Sequence, residues 1–437
     1  MGIQNFPAAL QPIIQQNFLE REFQEGIQSR LGFRAIADRE EFPAAIGETL
    51  TKTRRGLKAP VTTPLNPANN TNLDNGLTSA GWTVEQYVLS VNMYGDTIDL
   101  NMVTSRVGIA SQFLQNAKVN GIQAAQSVDR LARNALYGSY LGGNTRVTAT
   151  LGAPATTVAV DDIRGFQYVM SNGVMVPVAV ATPMTVTIGA GSYTLTGATA
   201  DGVNVSTAPN GISGTLTLSA NVSVANGTAG NAVKSAVAPY VIYAGTSNYT
   251  TEDIAVGDTL KMQNVLDAVA TLRGNNVPDV DGAYNVYLDD KQLLGLFKDD
   301  DFKLLYRGAY GSEEYRKGQV FELLGARFIT TNEAPQQTNS TGVAVHRAVV
   351  CGKGAIIEGN YSETGYQDVD NPDSLKVMVD DICMVTREPL DRLQQIIAQS
   401  WYWIGGYAVP TDVTANTTII PTATNSYFKR GIVIESA

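Results

Sequence analysis

Between Asp96 and Tyr140 apolar residues recur at Val103, Val107, Ala110, Leu114, Ala117, Ala124, Val128, Leu131 and Ala135, with Gly121 in the slot between Ala117 and Ala124. Steps of three and four put these positions on one face, so the spacing predicts a single long helix over 96–140. Asp96 and Asp99 stand at its amino end and Arg130 and Arg133 near its carboxyl end, the charge order that a helix dipole favours. Gly142 and Gly143 stop it. At 1.5 Å per residue such a helix runs about 55 to 65 Å, several times the usual length. It has to lie across other elements.

On the amino-terminal side the pattern is sparser. A short helix is predicted from Pro12 through Phe18, Leu19 and Phe23, followed by a polar turn at Asp38-Arg39-Glu40-Glu41; this arm has little core of its own. From Ile46 to Tyr94 the pattern is extended, with strands over 49–53 and 84–91 enclosing a middle that holds Pro60, Pro64, Pro67, Asn69, Asn70, Asn72 and Asn75. Such a loop cannot bury both faces within one subunit, so it is expected to move or to dock on a neighbour.

Beyond the long helix, alternation in Thr185-Val-Thr-Ile188, Tyr193-Thr-Leu195 and Thr215-Leu-Thr-Leu218 predicts strands between Gly- and Asn-rich turns. Across 147–250 the only charged side chains are Asp161, Asp162, Arg164, Asp201 and Lys234, which marks an inserted β-rich domain. A helix follows over 259–273, with Leu260, Val265, Leu266, Val269 and Leu272 on one face and Gly274 at its end. Strands are predicted over 284–288, 320–330, 344–351 and 375–386, so the fold class is α+β, a sheet flanked by helices.

Composition narrows the function. The chain has 437 residues, 44% hydrophobic and 16% charged, enough to bury cores in two or more domains. A net charge of -10 gives no general electrostatic reason to bind nucleic acid, so packaged DNA is at most a non-specific partner. Two cysteines, Cys351 and Cys383, lack metal-site or redox spacing. The first thirty residues show no basic-then-apolar signal, and no run reaches the roughly 18 apolar residues of a membrane span, so the chain is expected to be soluble where it is made.

Catalytic chemistry has little to stand on. His346 is the single histidine, which rules out a two-histidine metal site and leaves one position around which a triad would be built. No phosphate-cradling glycine motif occurs. Asp299-Asp300-Asp301 would suit a cation and Asp279-Val-Asp281-Gly282 resembles a calcium loop, but the latter lacks the downstream ligand ladder, and both read better as solvated turns. No catalytic, cofactor-binding or metal residue is assigned. Arg54, Arg55 and Lys58 form a basic cluster in the extended loop of an otherwise acidic chain, and are the candidate contact to another copy.

The order of parts resembles the major capsid protein of tailed bacteriophages, the Hong Kong 97-type fold. The match rests on Asn276-Val-Pro-Asp-Val-Asp-Gly-Ala-Tyr284 through Asp289 after the 259–273 helix, on 318–333 with Leu324-Gly325-Ala326-Arg327-Phe328-Ile329, and on Val385-Thr-Arg387-Glu-Pro389-Leu-Asp391 with Gln399-Ser-Trp401-Tyr-Trp403. The resemblance implies an amino-terminal arm (1–45), an extended loop (46–95), a spine helix opening a peripheral domain (96–146), the inserted β-rich domain (147–250), an axial domain (251–360) and a return to the periphery with a tail (361–437). Residues 147–250 depart from compact members of the family. It further implies a non-enzymatic shell subunit that assembles with itself as hexamers and pentamers in the host cytoplasm and ends in the virion capsid, without cofactor or membrane. Scaffolding, portal and decoration proteins are further partners it would admit.

Two other functions compete. A secreted β-rich adhesin or surface-layer protein would account for the Thr/Gly-rich stretch and the Asn-x-Ser/Thr triplets, but requires a secretion route. An enzyme built on His346 would lose its function with that side chain.

Overall fold

The computed structural model describes residues 10, 18–28, 32–42, 49–64, 81–101, 109–202, 211–303, 322–361, 374–387, 389, 392–412, 419–423 and 427–437. Among them are the α-helices α1 (Phe18–Gln28), α2 (Ile109–Tyr140), α3 (Met262–Gly274) and α4 (Asp290–Lys298). The chain divides into two compact units, one of Met1–Thr51, Val88–Ala135 and Ile356–Ala408, the other of Lys52–Tyr87, Leu136–Ala355 and Val409–Ala437. Among the described residues no helix is long and apolar enough to cross a membrane.

The first unit is built on the strand Ile396–Ala408, whose odd-numbered residues from Ile397 to Trp403 are buried while their even-numbered neighbours stay partly open. Inward period-two residues of this kind make one face of a sheet apolar. Its neighbours are Ile382–Arg387 and Asn92–Asn101, both antiparallel to it; Ile357–Tyr361 pairs along its carboxyl end, and Asp38–Phe42 adds in parallel to Ile357–Tyr361. Ala117, Ala124 and Val128 of α2 share one cluster with Trp401, Trp403, Met384, Phe23 and Ile27. Small helical residues thus meet the largest side chains of the sheet, which keeps the layer filled. Asn120 adds a polar tie, its side-chain amide donating to the Gln399 carbonyl at 3.0 Å.

Three predicted elements differ here. The helix was expected from Asp96, but Asn92–Asn101 is a strand paired residue by residue with 396–405, and α2 begins at Ile109. Asp96 therefore does not cap a helix; its carboxylate accepts from the Gln123 side chain at 2.6 Å and from the Thr97 N–H at 2.8 Å. Val103 and Val107, like Pro12, lie outside the described residues. The 32 residues of α2 span about 48 Å. Asp38-Arg39-Glu40-Glu41, expected as a turn, is part of the parallel strand Asp38–Phe42, because an available sheet edge overrides weak strand propensity. The stretch expected as one strand over 375–386 is a hairpin of Ser374–Val379 and Ile382–Arg387, turned by Asp380 and Asp381 at φ 50° and 66°. Two consecutive left-handed residues make the tight turn whose twist matches its strands, and Asp is among the residues that tolerate it.

The second unit holds two larger sheets. One has strands in the order Asn144–Arg146, Ala232–Ser235, Met184–Ile188, Gly191–Ala200, Gly214–Val222 and Ala155–Val160. Its two ends meet through a Val147 to Val160 bridge and a Thr148 N–H to Ala159 carbonyl bond of 3.0 Å, so the sheet closes on itself. Closure removes the unpaired edges that a Thr/Val-rich sheet would otherwise expose. Val158, Val160, Phe166, Val186, Ile188, Leu195, Leu216 and Val233 fill its interior.

The other sheet runs Val241–Tyr243, Gly431–Ser436, Ala344–Cys351, Tyr284–Leu288, Ala326–Thr330 and Glu322–Leu323, with Gln336–Thr338 beside Ala344–Cys351. Val241–Tyr243, counted in the sequence with the inserted stretch, belongs to this sheet through parallel pairing with 433–435. The expected single strand over 320–330 is, in its described part, a hairpin turned by Leu324 and Gly325 at φ 53° and 81°. Helices α3 and α4 contribute Met262, Val265, Val269, Leu272 and Leu296 to a core with Val286, Leu288, Phe328, Val350 and Ile434.

The carboxyl end of α2 is fixed in this unit by two buried phenols. Tyr137 donates to the Arg347 carbonyl at 2.9 Å and Tyr140 to the Ala355 carbonyl at 2.8 Å. Tyr137→Phe is expected to cost about 1 to 2 kcal/mol, since the ring stays and one buried carbonyl loses a donor. A urea midpoint unchanged from the parent would remove this bond from the account.

Candidate functional site

The single histidine sits in a structural setting. His346 is 7% exposed, and its Nδ1 meets the Asp289 carboxylate, which also accepts the Gln292 N–H at 2.8 Å as the amino-terminal cap of α4. Gln292 in turn donates to the His346 carbonyl and to the Ser436 hydroxyl, both at 3.1 Å. These bonds tie α4 to two neighbouring strands. Both cysteines are buried, and burial pushes each thiol up, away from the thiolate form that reacts or binds metal. Among the described residues no group of three or more His, Cys, Asp or Glu side chains is gathered to hold a metal ion.

The acidic pairs take local tasks that sequence spacing did not reveal. Asp299 accepts the Met262 N–H at 3.0 Å and so closes the open end of α3, while Asp300 pairs with Lys303 at 3.0 Å. A free helix N–H wants such an acceptor, and the signal for it, an Asp 37 residues downstream, has no sequence periodicity. Asp281 and Gly282, at φ 52° and 90°, turn the chain between Val280 and Ala283.

The basic cluster is divided by its own strand. Thr49–Arg55 pairs with Val84–Ser90 as a two-stranded sheet, and neighbouring residues on a strand point to opposite faces. Arg54 is half-buried and pairs with Asp412 at 3.2 Å, an acid that also holds Arg430. Arg55 is exposed, its guanidinium 5.9 Å from the centre of the Trp82 ring, a cation–π contact. Lys58 is exposed beyond the strand. Arg54 is thus committed within the chain, and the charge presented outward is that of Arg55 and Lys58. Around them Leu57, Val61, Trp82 and Val84 are exposed apolar side chains. The Asn-rich tip of the loop over 65–80 lies outside the described residues.

Arg146 joins the closed sheet to the α/β sheet of the same unit. It pairs with Asp161 at 2.6 Å and with Glu252, and donates to the Thr338 carbonyl at 3.2 Å, while Gln337 donates to Asp161 at 2.7 Å. The inserted β region is therefore fixed by a polar hub at its base, with partly buried partners.

No family model and no curated protein sequence matches the chain. Solved structures do. The capsid of Ralstonia phage GP4 aligns with a TM-score of 0.54 and 10% identity, over 94% of this chain and 92% of that one. The acidic stable capsid of Helicobacter pylori bacteriophage KHP30 covers 93% and 91% at 9% identity with a TM-score of 0.49, and that of cyanophage P-SCSP1u 93% and 88% at 12% with 0.47. The last two overlap too loosely to carry an argument. The Ralstonia phage alignment takes in nearly the whole of both chains, so that the α+β architecture described above is the fold of a phage capsid chain, the fold that the resemblance to the Hong Kong 97-type family implies.

Proposed function

We propose that this chain is the structural subunit that assembles with itself into the icosahedral shell of a phage capsid around double-stranded DNA. The observation that carries the proposal is the fold shared with the capsid of Ralstonia phage GP4 over 94% of the chain. A non-enzymatic role fits a histidine held between α4 and its neighbouring strands and two thiols buried away from reactivity. A net charge of -10 keeps such a shell from adhering to the DNA inside it. In this proposal the subunit forms hexamers and pentamers in the host cytoplasm, and scaffolding, portal and decoration proteins act on that lattice. Negative-stain microscopy of the expressed chain tests it: closed shells are expected, and monomers or open sheets under all assembly conditions would overturn it.

Within this proposal the extended loop, residues 46–95, docks on a neighbouring copy, with Arg55 and Lys58 as its outward charges. Arg55→Glu with Lys58→Glu leaves the Arg54–Asp412 pair in place. Single surface ion pairs are worth only about 0 to 1 kcal/mol, but a shell repeats each contact in every subunit, so particle yield should fall by about tenfold or more while the subunit stays folded. Normal particle numbers from the double variant would count against docking through these charges. The inserted β region, residues 147–250, is proposed to stand on the outer face, where it takes no genome space and meets other proteins.

A further inference from the structure

Within the second unit a cavity of about 680 Å³ runs along the strand Val241–Tyr243. Its volume falls in the range of pockets that hold ligands, about 300 to 1,000 Å³. Two features of its wall point to one kind of occupant. The first is an open sheet edge: Val241–Tyr243 is the last strand of its sheet, paired with Gly431–Ser436 on one side and with no strand among the described residues on the other. An open edge presents backbone N–H and carbonyl groups ready to pair with a further extended chain.

The second feature is Lys234. Its ammonium donates to the Tyr249 carbonyl at 2.8 Å and lies 5.3 Å from the centre of the Tyr243 ring. An ammonium has three donors, so capacity remains that no described residue fills. Burial lowers the Lys234 pKa, and the fields of Asp253 and Glu435 act in the opposite direction. Neither acid is a direct partner. Glu435 pairs with Arg347 at 2.8 Å and accepts from Thr251 at 2.7 Å, and Asp253 accepts the Tyr249 and Thr250 N–H groups at 3.0 Å. Asp267 stands on the cavity wall as a further acid, exposed, accepting from Gln263 at 2.8 Å. A partly desolvated ammonium with open donors gains most from an incoming carboxylate. Tyr240 and Tyr249, 50% and 68% exposed, flank the opening and offer ring faces to an apolar side chain.

We infer that this cavity is a docking site for an extended, acidic peptide segment of another protein, which adds a strand along Val241–Tyr243 and sets a carboxylate on Lys234. Backbone pairing supplies attachment, the Lys234 contact supplies selection, and the tyrosines cover the neighbouring apolar residues of the guest. The site needs no assembled shell, so it stands apart from the capsid proposal and is tested on the unassembled full chain.

The probe is a fluorescent peptide of alternating Thr and Val with one central Glu, acetylated and amidated at its ends, titrated by anisotropy. Replacing its Glu with Gln is expected to weaken binding by about tenfold, the loss of one charge-assisted contact. In Lys234→Met the Glu and Gln peptides should bind equally, and backbone N-methylation of the peptide should abolish binding to the parent. If Lys234→Met fails to fold by circular dichroism, Tyr240→Ser and Tyr249→Ser at exposed positions replace it, and each should weaken the Glu peptide several-fold. A Glu preference that survives Lys234→Met, unchanged affinity in both tyrosine variants, equal binding of the N-methylated peptide, or no binding at millimolar concentration would each overturn the site. Self-association of the chain in sedimentation that excess Glu peptide reverses would show the occupant to be a second copy, and would overturn a foreign partner.

Discussion

Arg34→Ala should destabilise the first unit by about 3 to 5 kcal/mol, the loss expected when one partner of a buried ion pair is removed and the other stays. The Arg34 side chain is 1% exposed and that of Glu358 is fully buried. Nε donates to both Glu358 oxygens at 3.1 and 3.0 Å, Nη2 to one of them at 2.7 Å, and Nη1 to Asp380 at 3.0 Å. Nη2 also donates to the Asp380 carbonyl at 3.1 Å, and Tyr407 donates to Glu358 at 3.3 Å. Burial opposes the Arg34 charge, but hydrogen bonding to Glu358 and the fields of its acidic neighbours outweigh it, and the guanidinium pKa moves up. With Arg34 gone, Glu358 is a buried carboxylate without its cation. Urea unfolding of the unassembled chain measures it, and Glu358→Gln in the Arg34→Ala background should recover part of the loss. A deficit under about 1 kcal/mol, the range of an exposed pair, would mean that Arg34 is not the buried clamp described.

This clamp was invisible in the sequence because its parts are 324 and 346 residues apart along the chain. Distance along the chain also explains two of the other differences. Asp96-Thr-Ile-Asp-Leu-Asn101 carries helix-compatible spacing, and what makes it a strand is residue-by-residue pairing with 396–401. Asp38–Phe42 is charged and reads as a turn until Ile357–Tyr361 offers it an edge. By contrast α2 from Ile109 onward was legible because it is decided locally: Ala117, Ala124 and Val128 lie on one face at helical spacing, and all three are fully buried. Three of the six strands of the closed sheet, those holding 185–188, 193–195 and 215–218, were legible for the same reason, with inward residues alternating most clearly in Met184–Ile188 and at the start of Gly214–Val222.

The basic cluster was found by charge contrast, yet its division into a bound Arg54 and an outward Arg55 depends on which strand face meets Asp412. The Lys234 cavity gave no signal beyond one lysine in a stretch with four other charged residues, since its edge strand is created by pairing with the carboxyl-terminal strand 431–436. Capping by Asp299 and the left-handed pair Asp380-Asp381 belong to an intermediate class. The residue types are right for those roles, but nothing local says which Asp will perform them.

Two glycines on α2 should respond to the same substitution with opposite signs. Alanine is favoured over glycine inside a helix by about 0.8 to 1 kcal/mol, so each replacement starts with that gain. At Gly121 the added methyl would lie 2.7 Å from the Phe23 carbonyl oxygen and 3.3 Å from the Gly26 Cα, and a methyl at Gly26 would meet the Lys118 carbonyl at 2.8 Å. Here α1 crosses α2 with backbone against backbone, and no rotamer change can relieve contact with main-chain atoms. Parting the helices would also loosen Phe23 and Ile27 from the core they share with Ala117 and Ala124. The exposed Lys118–Glu25 pair at 3.1 Å offers little to offset that. Gly121→Ala should therefore cost about 1 to 3 kcal/mol in spite of its helix propensity, the usual range for overpacking. At Gly138 the nearest atom to an added methyl is Arg164 Nη1 at 3.4 Å, the far end of a side chain, so Gly138→Ala should be neutral or stabilise by up to about 1 kcal/mol. Thermal unfolding of the two single variants separates the cases: stabilisation at both positions would refute the close crossing, while loss at Gly121 alone would place the contact between α1 and α2 at Gly26 and Gly121.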